Sequence, residues 1–123
     1  MLKPGGVLLL RTPNIDSWEA SVFRGNWYGL DAPRHFFLFS PGTMRVALEK
    51  AGFAVSGLRY QYHPVDCSRS LLYLCEDRGL PRMRSFTAGW IRQVEWGLTA
   101  CTPLRKICGR GASFHVEARK ASM

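Results

Sequence analysis

Six residues stand out by type and spacing: Asn14, Trp27, Tyr28, Asp31, Arg34 and His35. All but the first lie in one stretch, 26–38, which also carries Phe36 and Phe37. His35 is the one residue of that stretch whose ordinary pKa suits proton transfer near neutrality, which makes it the candidate general base. Asp31, four residues earlier, is the candidate partner that would orient its ring. Asn14, Trp27, Tyr28 and Arg34 are candidate contacts to a small-molecule substrate. A structural reading of the same residues stands beside this one: the Asp31 carboxylate caps backbone amides and pairs with Arg34. His63, beside Pro64 at a strand end, and His115, facing outward beside Glu117, are expected at the surface.

These residues need a scaffold, and it begins at once. Val7 to Leu10 is an unbroken apolar run behind a Pro4-Gly5-Gly6 turn. It is too short for a helix and has the pattern of a strand buried on both faces, as in a parallel sheet. Ligands of open parallel sheets sit beyond the carboxyl ends of the strands. Here that end is Thr12-Pro13-Asn14, and the aromatic loop is expected to fold over it, since so apolar a loop must cover something.

Between strand and loop, Asp16-Ser17-Trp18-Glu19 predicts a short helix with Asp16 as cap and Glu19 reaching back, ended by Gly25. Ser40-Pro41 starts a second helix, with Met44, Ala47, Leu48 and Ala51 as its buried stripe and Gly52 as its stop. A strand follows from about Phe53 to Tyr62. A short helix is expected over 67–75, then a turn at Arg78-Gly79-Leu80-Pro81. Phe86, Trp90, Val94, Leu98 and Cys101 line one side of a long helix ending before Pro103, with Trp96 opposite. After a turn at Gly109-Arg110-Gly111, Ser113 to Arg119 alternates strictly: Phe114, Val116 and Ala118 inward, His115, Glu117 and Arg119 outward.

Length and composition bound the rest. At 123 residues, 46% of them hydrophobic, the chain suffices for one domain with a modest core. Lys and Arg outnumber Asp and Glu by 17 to 9, a net charge of +8. The cations are scattered from Arg11 to Lys120 in runs no longer than two, so nucleic-acid binding is not expected. Cys67, Cys75, Cys101 and Cys108 are too widely spaced for a paired metal site, and free, buried thiols are expected of them. No metal is called for. With neither a secretory leader nor an apolar stretch long enough to span a bilayer, the chain reads as cytoplasmic.

Leu2-Lys3-Pro4-Gly5-Gly6, the strand and Thr12-Pro13-Asn14 together resemble the segment entering the fifth strand of class I S-adenosylmethionine-dependent methyltransferases. The likeness continues through Trp27-Tyr28-Gly29-Leu30-Asp31-Ala32-Pro33-Arg34-His35, Phe39-Ser40-Pro41 and Ala51-Gly52-Phe53, and ends at the strand around Phe114 to Lys120. It implies an α/β fold, a partial Rossmann-like methyltransferase sheet made of the last three strands. The final strand would be antiparallel and inserted between the other two, with flanking helices and a helical insertion at about 63–111.

In that family a glycine-rich turn after the first strand and an acidic residue ending the second hold the cofactor. Neither has a counterpart here, so no cofactor-binding residue is assigned. The resemblance therefore implies that residues 1–123 are the C-terminal part of a methyltransferase domain whose N-terminal cofactor-binding half is absent. It implies the acceptor side for the Trp27–His35 loop, and S-adenosylmethionine for the complete fold but not for this chain alone. Isolated, the chain would then be inactive as a transferase. The alternative is a non-enzymatic remnant, or a small basic module that dimerises through the exposed edge of strand 7–12.

Overall fold

The computed structural model describes residues 2–31, 33–100 and 110–121. Strand β1 (Val7–Pro13) leads to helix α1 (Trp18–Phe23) and to two short 3-10 turns, Arg24–Asn26 and Tyr28–Leu30. Helix α2 (Pro41–Lys50), strand β2 (Phe53–Gln61), helices α3 (Pro64–Asp77) and α4 (Pro81–Ala100) and strand β3 (Ser113–Lys120) complete the order. This is a mixed α/β arrangement around one three-stranded sheet.

The sheet runs β1-β3-β2, with β3 antiparallel to both neighbours. The strand made last is thus the central one, as expected. It holds that place by pairing along both edges, and its alternation buries one face: Phe114, Val116 and Ala118 are at most 2% exposed, and Met44 and Leu48 of α2 pack on them. Leu8 and Leu10 of β1 and Phe53, Val55 and Leu58 of β2 complete this core. Ser56 is an extra residue in β2, a bulge between Val55 and Gly57 that lets the inward set stay in phase.

Four expectations need correction. First, β1 is not buried on both faces. Leu8 and Leu10 face the core, but Val7 is 45% and Leu9 74% exposed, because the helix packed on the sheet, α2, covers the face that carries Leu8 and Leu10. Second, α1 is capped by Ser17 rather than Asp16: Ser17 Oγ accepts from the Ala20 amide at 3.0 Å. The Asp16 amide is itself held by Asn14 Oδ1 at 3.1 Å. Third, α2 buries Met44 and Leu48 only; Ala47 and Ala51 are exposed. Its start is as expected, with Ser40 and Thr43 exchanging side-chain and backbone bonds. Fourth, α3 begins at Pro64 rather than Cys67, because proline at the first helical position suits a helix start.

A second, smaller core joins α1 and α3, where Ala20, Phe23, Trp27 and Cys67 are buried together. Cys67 and Cys75 are buried free thiols. Burial, and after it the neighbouring Asp66 charge, pushes the Cys67 thiol above its ordinary pKa. Cys101, Pro103, Cys108 and Gly109 lie outside the described residues, as do the side chains of Phe86, Val94 and Leu98. Trp90 and Trp96 of α4 are exposed, at 54% and 76%. Among the described residues no helix is long and apolar enough to cross a membrane.

Candidate acceptor cleft

At the carboxyl end of β1 the chain forms a cleft of about 450 Å³. Arg11, Thr12 and Pro13 of β1 make one wall, and Tyr28, Gly29, Asp31 and His35 of the loop make another. A third comes from His63, Val65 and Asp66, where β2 turns into α3, while Ala112 and Ser113 close the floor.

The loop holds its shape because part of it is buried and part is pinned. Trp27 is 1% exposed, and Gly29 lies against its indole so closely that a β-carbon there would meet the ring at 2.3 Å. The Tyr28 amide donates to Ser70 Oγ at 2.8 Å. The Tyr28 ring tilts against Tyr73, 6.1 Å away, with the Arg69 guanidinium 5.4 Å from its centroid. Asp31 adopts a left-handed conformation, φ 35°, which turns the chain back toward the cleft. Arg34 pairs with it, Nη1 to Oδ2 at 3.4 Å, and the Arg34 amide donates to the Asp31 carbonyl at 2.7 Å.

The six sequence-predicted residues therefore divide. Tyr28, Asp31 and His35 meet in the cleft. His35 is exposed there, and the Asp31 carboxylate is engaged by Arg34. Trp27 is core, not cleft lining. Asn14 is a buried clasp whose Nδ2 donates to the Gly111 carbonyl at 2.9 Å. The Arg34 side chain is 81% exposed and does not line the cleft. Phe36 and Phe37 point into solvent, at 84% and 78% exposure, so the aromatic loop covers the strand end only with its first half.

Sequence reasoning passed over three cleft residues. Arg11 donates from Nη2 to His63 Nε2 at 2.9 Å. His63 is half-buried rather than a surface residue, and it sits at the N-cap of α3. Asp66 follows in the first turn, where burial raises its carboxyl pKa and the neighbouring His63 and Arg11 pull less strongly the other way. His63-Pro64-Val65-Asp66 carried the signal, a proline-started helix with an acid in its first turn. The cleft thus offers imidazole nitrogens and a carboxyl of raised pKa, groups suited to taking a proton from an acceptor.

Comparison with known proteins bears on these walls. The chain is similar over residues 1–57 to the family model of a methyltransferase domain. No curated protein matches it. The methyltransferase-like stretch spans β1, α1, the loop, α2 and the start of β2. It therefore supplies two of the three cleft walls.

The two glycine-dense segments of the sequence have their own places in the fold. A β-carbon on Gly111 would lie 2.6 Å from the Gln61 carbonyl oxygen, so that glycine is closed against β2. Gly5 forms the turn before β1, and its amide pairs with the Lys120 carbonyl at 3.1 Å. Among the described residues no set of three His, Cys, Asp or Glu side chains is placed to hold a metal ion.

Proposed function

We propose that this chain supplies the acceptor side of a class I S-adenosylmethionine-dependent methyltransferase, as the C-terminal part of its Rossmann-like domain. One observation carries the reading: the stretch that matches a methyltransferase domain is the one that builds two walls of the cleft beyond β1. The sheet order, with an antiparallel last strand in the middle, supports it.

In this reading the methyl donor is held by segments other than the residues described here, and the isolated chain does not transfer methyl groups. The outer edge of β1, which pairs with no described strand, is where the remainder of the sheet joins. The acceptor is a small molecule lying in the cleft. His35 takes its proton, since its exposed ring lines the cleft and has no hydrogen bond to another described residue. His63 is less free, because its Nε2 is already held by Arg11. Tyr28 and the Asp31–Arg34 pair shape the mouth rather than perform chemistry. A cytoplasmic location goes with this reading.

The test has two arms. Titration of S-adenosylmethionine into the isolated chain should give no saturable binding; micromolar affinity would overturn the assignment of donor binding to other segments. In an enzyme completed with a glycine-turn half, His35→Ala should lower turnover by about 10²- to 10⁴-fold, the usual worth of a general base. Undiminished turnover with unchanged acceptor binding would remove His35 from the mechanism.

A further inference from the structure

The second face of the sheet, opposite α2, carries a row of cationic and titratable side chains set by the register. Arg11 of β1 and Arg59 of β2 both lie opposite His115 of β3. Adjacent strands are about 4.8 Å apart, so the two arginine Cα atoms straddle the histidine at roughly 10 Å. Two guanidiniums on long stems can converge over that span. The next row is Leu9, Glu117 and Gly57. Gly57 has no side chain, and the bulged Ser56 turns its hydroxyl onto the Glu117 carbonyl at 3.2 Å. A hollow of about 500 Å³ results, bordered by Arg11, Arg59, His115, Leu9 and Glu117.

The charges there are not internally balanced. Among the described residues neither Arg11 nor Arg59 forms an ion pair; Asp66, the carboxyl that feels the Arg11 charge, lines the acceptor cleft and not this hollow. Arg11 spends one contact on His63, but a guanidinium has five N–H donors. His115 is half-buried between the two arginines and forms the floor of the hollow. Arg119 adds a further positive charge one row beyond Glu117, the one carboxylate among the described strand residues of this face. A planar or tetrahedral oxyanion satisfies two guanidiniums at once, which a neutral ligand does not.

We propose that this face is a binding site for the oxyanion group of a small molecule, a phosphate or carboxylate, held between Arg11 and Arg59 over His115. The site is separate from the acceptor cleft, with Arg11 alone bordering both. It does not depend on the methyltransferase reading. Glu117 sets its lower limit: the anion sits on the arginine row, because one row further it would meet a carboxylate.

Titration of the purified chain with inorganic phosphate and, separately, acetate, followed by the ring resonances of His115 at about 0.15 M ionic strength, tests this. Saturable binding of at least one anion is expected, and which one binds more tightly identifies the ligand class. Arg59→Gln, at an exposed position outside the cleft, should weaken it about tenfold or more, and Glu117→Gln should strengthen it several-fold. Arg45→Gln, on exposed α2, should leave it unchanged. A linear, non-saturating response to both anions would overturn the proposal, as would equal affinities in wild type and Arg59→Gln.

Discussion

Arg11, near the end of β1, donates to Nε2 of His63, at the start of α3, across 2.9 Å. A guanidinium has only donors, so the imidazole nitrogen is the acceptor in this contact. The Gln61 side-chain oxygen lies 3.2 Å from the same nitrogen. The bond ties together two cleft walls that are 52 residues apart in the chain.

Asp66 lies just behind this bond, and its raised pKa gives the fold a pH signature. The folded chain holds the Asp66 proton more tightly than the unfolded chain does. The stabilisation is therefore complete below the ordinary carboxylate pKa and is lost as pH rises through the higher folded value. Asp66→Asn should remove this loss, and urea midpoints measured on either side of that interval should differ less than in wild type. Arg11→Met, which removes a compensating positive charge, should move the Asp66 titration upward, as read by its carboxyl carbon resonance.

Trp27 tests whether the loop is held by its core or by its contacts at the mouth. Trp27→Ala should cost about 3–5 kcal/mol, as for other large-to-small changes in a packed interior. Trp27→Phe should cost less. Trp96→Ala, at 76% exposure, should fall within about 0.5 kcal/mol of wild type. Denaturant unfolding distinguishes them. Equal, small costs would show that Trp27 is not the anchor.

The cap of α1 separates two adjacent residues with similar chemistry. Ser17→Ala should destabilise by about 1 kcal/mol, through loss of the bond to the Ala20 amide. Asp16→Ala should change little, since Asp16 is exposed and contributes its backbone amide to Asn14. The reverse order of urea midpoints would restore Asp16 as the cap.

Leu9, 74% exposed on β1, tests what the outer strand edge does in the isolated chain. A lysine on an edge strand opposes edge-to-edge pairing. Leu9→Lys should leave thermal stability nearly unchanged and should dissociate any dimer seen by sedimentation. A wild-type chain that sediments as a monomer at the highest accessible concentration does not pair copies through this edge.

What could be read in the sequence follows from how local the deciding contacts are. Ser40-Pro41 marked α2 correctly because its capping bonds span three residues. The alternation from Phe114 to Ala118 marked a half-buried strand because a pleat needs only its own period, while its central place came from the family resemblance. The choice between Asp16 and Ser17 was not local: Asn14 orients the Asp16 amide while its own Nδ2 is held by Gly111, 97 residues away. Val7 to Leu10 was misjudged because an all-apolar run has no alternation to say which face is covered. In the cleft, His35, Tyr28 and Asp31 were visible as a cluster in one loop. His63 and Asp66 join Arg11 only through the pairing of three strands, which spacing along the chain does not encode.

The position of β3 has a consequence for biosynthesis. As ribosomes build this polypeptide, β1 and β2 emerge before the strand that joins them, since β3 follows both in the chain. The apolar side chains that these two strands turn toward the shared core stay open to chaperones and to neighbouring nascent chains until residues 113–120 emerge.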